Sequence, residues 1–178
     1  MPEVQELQNL GRAKNAIQGY LVRKLLYPKV YLDANWGGVP VDVLAIDRTG
    51  VGDVHAVRIA PVHFQDGPAN WQEHVTLASM VVNENSKPLL GIPGHFRYIA
   101  LFNETADLRR FDPPAPLVRL LTAADGIGRI GLLVVDLGDG EPVIKEIVRA
   151  ERFRSSKHIT ELTDHFIASN EANWEMRE

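Results

Sequence analysis

The sequence predicts a mixed α+β domain, and three observations carry that reading. An amphipathic helical stripe runs from Val4 to about Tyr27, short runs rich in Val, Ile and Tyr follow it between glycine-bearing turns, and a second helical stripe separates these from further β-rich segments. At 178 residues the chain is long enough for one ordinary domain and short for two of typical size, so residues 1–178 are read as a single unit. With 45% hydrophobic and 24% charged residues, its composition is that of a chain able to build a core.

The first helix is marked by Leu7, Leu10, Ala13, Ala16 or Ile17, Tyr20, Leu21 and Leu25 at three- and four-residue steps. Arg12, Lys14, Arg23 and Lys24 lie between them, and Pro28 ends the pattern. KVYLDAN, GVPVDVLAID and DVHAVRIA then read as three strands in a meander, with WGG and RTGVG supplying the turns. PVHFQDGPAN reads as a loop. WQEHVTLASMVVNEN has helical spacing, with Asn70 as a candidate cap and PLLGIPG as its breaker. HFRYIALFN is a predicted strand, ADLRRF a helical turn, and DPPAP rigid punctuation before the short LVRLLTAA element. LLVVDL and PVIKEIV flank GDGE as a C-terminal β-hairpin, and Ser156 to Phe166 form a closing helix.

Several chemistries are excluded or disfavoured. The absence of cysteine removes disulfides, thiolate catalysis and Cys-ligated metal centres. The first eighteen residues lack the basic start and continuous apolar run of a signal peptide, so a cytoplasmic location is expected, with no membrane partner. A net charge of −4 weighs mildly against binding nucleic acid over the whole surface. GIGRIG, residues 126–131, matches the G-x-G-x-x-G spacing. It precedes LLVVDL, a strand, rather than the helix that a dinucleotide loop requires. His55, His63, His74, His95, His158 and His165 show no HxH or HExxH spacing, although His55 and His63 could meet across a bend. No serine sits in a G-x-S-x-G elbow, and Trp36, Trp71 and Trp174 are dispersed as packing residues.

The stretch VPVDVLAIDRTGVGDVHAVRIA, Val39 to Ala60, places Asp42 inside an apolar strand, with Ala56 and Arg58 on the next one. This pattern resembles the core of the PD-(D/E)XK, or restriction-endonuclease-like, superfamily. The resemblance extends to the first helix and to Asn35, covering about the first third of the chain by motif and the rest by element order. It implies a helix, a three-stranded meander, a helix and a further strand, with Asp42 as the metal-binding aspartate. On that register Ala56 stands in the second acid slot and Arg58 in the lysine slot, while the first helix offers Lys14 or Gln18 where a glutamate often stands. Two or more oxygen ligands are needed to hold a hard divalent cation against water, and arginine is a poor proton acceptor.

The resemblance therefore implies a degenerate site, with Asp42 and Arg58 as vestigial catalytic positions and no cofactor expected. The retained role would be binding of nucleic acid or another protein, a homodimer included. Two alternatives stand beside it: an active Mg²⁺- or Mn²⁺-dependent nuclease whose second carboxylate has migrated to Asp33, Asp47 or Asp53, and a structural or regulatory module without nucleic acid. A buried carboxylate needs a partner, and period-two geometry predicts an ion pair between Asp42 and Arg58. For nucleic acid, the better of two basic clusters is Arg149, Arg152, Arg154 and Lys157, with His158. The other, Arg12, Lys14, Arg23, Lys24 and Lys29, decorates the first helix.

Overall fold

The structure is a computed structural model that describes residues 2–26, 28–47, 52–62, 71–103, 130–138, 140–154 and 157–175. Among them lie helices α1 (Pro2–Lys24), α2 (Trp71–Leu90) and α3 (Lys157–Glu175). The strands are β1 (Pro28–Trp36), β2 (Val39–Asp47), β3 (Val54–Pro61), β4 (Phe96–Asn103), β5 (Gly131–Asp136) and β6 (Val143–Val148). The strands form one sheet in chain order. β1, β2 and β3 are the antiparallel meander, β4 runs parallel to β3 and β5 parallel to β4, and β6 returns antiparallel. No described helix is long and apolar enough to cross a membrane.

Each face of the sheet is covered by helix. On one, Ala13, Ile17 and Leu21 of α1 pack on Val43, Ala45, Val57, Ala100 and Leu133. Their four-residue spacing aligns them on one side of the helix, and burying Ile17 and Leu21 stabilises by about 1.5–3 kcal/mol each. Leu7, expected in that stripe, is 68% exposed because the first turns of α1 lie beyond the buried segment that begins near Asn9. On the other face, Val82 and Leu89 of α2 and Ile159 of α3 pack on Leu44, Ile46, Ala56, Ile99 and Leu132. Phe166 of α3 meets the rings of Tyr31 and Trp36 edge-on. β5, with helices over both faces, is buried at all six positions and reads as the continuous apolar run expected of an interior strand.

Turn chemistry explains the meander. Gly37 and Gly38 both adopt positive φ (59° and 84°), which a two-residue connection between β1 and β2 requires. α2 continues through Pro88 to Leu90, further than PLLGIPG suggested. Pro88 has no N–H to give the carbonyl of Glu84, and Gly91 N–H and Ile92 N–H close the helix on Pro88 O and Leu89 O. Of the predicted loop at 61–70, Pro61 instead ends β3, and residues 63–70, the ADLRRF and LVRLLTAA elements, the Asn70 cap and residues 126–129 of GIGRIG lie outside the described residues. Gly131, the last residue of that motif, opens a strand. A Cβ there would come within 2.4 Å of the Tyr98 ring and 2.7 Å of the Ala150 amide nitrogen, so close packing accounts for this glycine.

Candidate functional site

The β2–β3 ladder runs from Ile46↔Val54 to Val43↔Val57 and stops one residue short of Asp42. Beyond it the Asp42 side chain, rather than the strand backbone, meets β3: the Ile59 N–H donates to Asp42 Oδ2 at 2.7 Å. On the other side, β1 pairs with β2 at Leu32↔Val43 and Ala34↔Val41, which sets Asp33 opposite Asp42. Asp33 has a φ of 51°, the left-handed region that aspartate tolerates better than most side chains. Lys14 reaches down from α1 to both carboxylates, at 2.5 Å from Asp33 Oδ1 and 4.0 Å from Asp42 Oδ1.

The predicted Asp42–Arg58 ion pair is absent among the described residues. Arg58 lies on the α2 face with Ala56 and Ala60, and its Nε donates to Asn85 Oδ1 at 2.8 Å. Asn85 is itself fixed by Nδ2 donating to Val81 O. Asp42 has instead been taken by the Ile59 amide and faces Lys14, so the two side chains share a cavity without bonding. Ala56 is fully buried opposite Leu44 in the core under α2, and a carboxylate there would meet hydrocarbon.

The shared cavity, about 370 Å³, opens at the carboxyl end of β3. Pro40, Ile59, Pro61 and Val81 give it apolar walls, and Asp42, Arg58, Glu84 and Asn85 its polar groups. Ligands of α/β sheets commonly bind at the carboxyl ends of the parallel strands, and β3 is the first of that set here. Glu84 and Asn85 escape a reading of the meander because they come from α2. The signal available was the polar triplet NEN closing an otherwise apolar helical run.

The donor set does not fit the two-carboxylate metal grip that the resemblance implies. Ala56 supplies no oxygen, one Asp42 oxygen is engaged by an amide, and the ammonium of Lys14 stands by the other. Among the described residues no three His, Asp or Glu side chains are grouped to hold an ion. Of the three acids considered as migrated ligands, only Asp33 neighbours Asp42. Asp47 ends β2, and Asp53 lies beyond the other end of β3.

Asp53 instead belongs to a second polar cluster. Arg152 Nη2 sits 2.7 Å from Asp53 Oδ1, and His95 Nδ1, which accepts the Val54 N–H at 2.9 Å, is 3.7 Å from the same oxygen. Burial raises the Asp53 pKa, but Arg152's hydrogen bond and charge outweigh it and leave the carboxyl below its ordinary range. Burial pushes His95 below its usual value and His55, stacked on Phe96, down to about 4. Of the predicted basic cluster, Arg152 is thus engaged, Arg149 and Arg154 are exposed, and the Lys157 side chain is outside the described residues. His63 and the His74 side chain lie outside them too, so a His55–His63 meeting is not among the described contacts.

No protein-family model and no curated protein matches the chain. Among solved structures it is similar to the SPO1766 protein of unknown function from Silicibacter pomeroyi. The two are 12% identical, with a TM-score of 0.42 over 82% of this chain and 75% of that one.

Proposed function

We propose that this chain is a nucleic-acid-binding domain on a restriction-endonuclease-like core, in which ionic packing has replaced metal-dependent cleavage. The order of helix, antiparallel meander, helix and a strand parallel to the third supports the kinship. The observation that carries the loss of cleavage is Lys14. A fixed ammonium between Asp33 and Asp42 supplies the positive charge that a divalent ion would bring, without its capacity to bind and activate water. Binding is supported by Arg58, whose Nη groups make no hydrogen bond among the described residues, and by the exposed Arg149 and Arg154.

The test is fluorescence anisotropy with labelled single- and double-stranded oligonucleotides at stepped salt, alongside a cleavage assay in Mg²⁺ and in Mn²⁺. The expected result is salt-dependent binding without cutting, and a logarithmic salt slope about one to two smaller after Arg149→Ala plus Arg154→Ala. No binding at low salt overturns the proposal. Cleavage in Mn²⁺ that Asp42→Asn abolishes overturns it in favour of a metal-dependent nuclease. A protein-binding reading draws on one observation, the exposed apolar residues Val4, Leu7 and Val22 along α1 and Leu26 just after it. It gains if oligonucleotides fail to bind.

A further inference from the structure

We infer that the cavity between β2, β3 and α2 holds a single guanine base, an inference that rests on the nucleic-acid reading and specifies its ligand. The polar groups of the cavity divide into donors and acceptors. Arg58 spends Nε on Asn85 and keeps the rest of its planar fork for a ligand. Glu84 carries an exposed carboxylate that no described side chain engages, and among the described residues Asp42 Oδ1 has only Lys14, at 4.0 Å. A matching ligand therefore needs an edge of adjacent N–H donors for a carboxylate and an edge of acceptors for the guanidinium.

Guanine is the common base with both. Its N1–H and N2–H₂ form a donor pair for a carboxylate, and its O6 and N7 form the acceptor pair that arginine binds bidentately. Adenine sets the acceptor N1 beside its amino group, so a carboxylate facing that edge meets a lone pair. Cytosine offers one amino group beside the acceptor N3, and uracil one N–H between two carbonyls. Pro40, Ile59, Pro61 and Val81 suit the faces of a planar ring. The volume, about 370 Å³, lies at the small end of the ~300–1,000 Å³ typical of small-molecule sites, on the scale of one nucleoside.

The test measures binding of GMP, AMP, CMP and UMP to the full chain by calorimetry. All four carry the same sugar phosphate, so their differences report the base. GMP is expected to bind at least tenfold more tightly than the others. Glu84→Gln and Arg58→Met should each remove that preference, with thermal melts showing that the variants fold, and Arg58→Lys, which keeps the charge but lacks the fork, should not restore it. Equal affinity for the four nucleotides, a preference that survives both substitutions, or no binding at millimolar GMP would overturn the inference. Oligonucleotide binding without guanine preference sinks this inference and leaves the broader reading standing. GMP selectivity without oligonucleotide binding does the reverse.

Discussion

The two ends of β3 carry similar charged groups put to opposite use. At the amino end Asp53 is paired with Arg152, and His95 Nδ1 accepts the Val54 amide 3.7 Å from the same carboxylate. The Phe153 N–H donates to His95 O, tying the segment before α3 to the sheet. At the carboxyl end Asp42 and Arg58 are each held by one short hydrogen bond and keep further lone pairs or N–H groups beside a cavity. Buried polar groups that satisfy one another specify a fold, while groups that are positioned yet unspent specify a ligand. The amino end keeps two exceptions: His95 Nε2 and Arg97 Nε are buried without a hydrogen-bond partner among the described residues.

That contrast can be broken by substitution, beginning with its largest consequence. Gly131→Ala, at the start of β5, forces a methyl group against Tyr98 and Ala150. It should lower unfolding free energy by about 1–3 kcal/mol in a urea titration while leaving ligand affinity unchanged. A neutral result would mean that the contact of β5 with Tyr98 and Ala150 is not tightly packed.

Acidification comes next. His55 and His95 are held neutral in the fold by burial, whereas unfolded histidine takes up a proton near pH 6.5. Stability is therefore full above about pH 6.5 and falls as pH drops toward the value of about 4 at His55, by at most about 1.4 kcal/mol per pH unit for each group. Urea midpoints at stepped pH measure the slope, and His55→Gln should reduce it. Asp53, held below its ordinary range, keeps its contribution until more acidic conditions.

A smaller stability effect belongs to Arg152→Ala. The side chain is 39% exposed, and such pairs contribute about 0.2–1 kcal/mol. Arg58→Met should cost no more than that in stability while altering ligand selectivity. If it unfolds the protein instead, the carboxyl end is structural and the contrast fails.

Much of this fold was legible because its determinants are local. The four-residue steps of Ala13, Ile17 and Leu21, the paired glycines at 37 and 38, and the β-branched runs on either side of GDGE each act over a few residues. Leu7 was misread because amphipathic spacing does not say where a helix outruns the surface that it covers. Asp42 was legible as an acid within a β-branched strand. Its partners were not: alternation assumes a continuous ladder, and this ladder ends at Val43↔Val57, where a side chain takes over from backbone. Glu84 and Asn85 reach the cavity only through the packing of α2, which no local pattern encodes.

The left-handed residue at Asp33 also bears on how other chains could approach. β1 is an edge of the open sheet, and a continuous edge strand would offer its free N–H and C=O groups as a template for an incoming strand. Pro28 at its start and the backbone reversal at Asp33 interrupt that row twice within nine residues. At the opposite edge β6 shifts register against Leu132 and Leu133 and carries Lys145 and Glu146. Both margins thus resist strand addition and the fibrous stacking that follows from it, which leaves partners to engage this protein through side chains, at the helices or in the cavity at the strand ends.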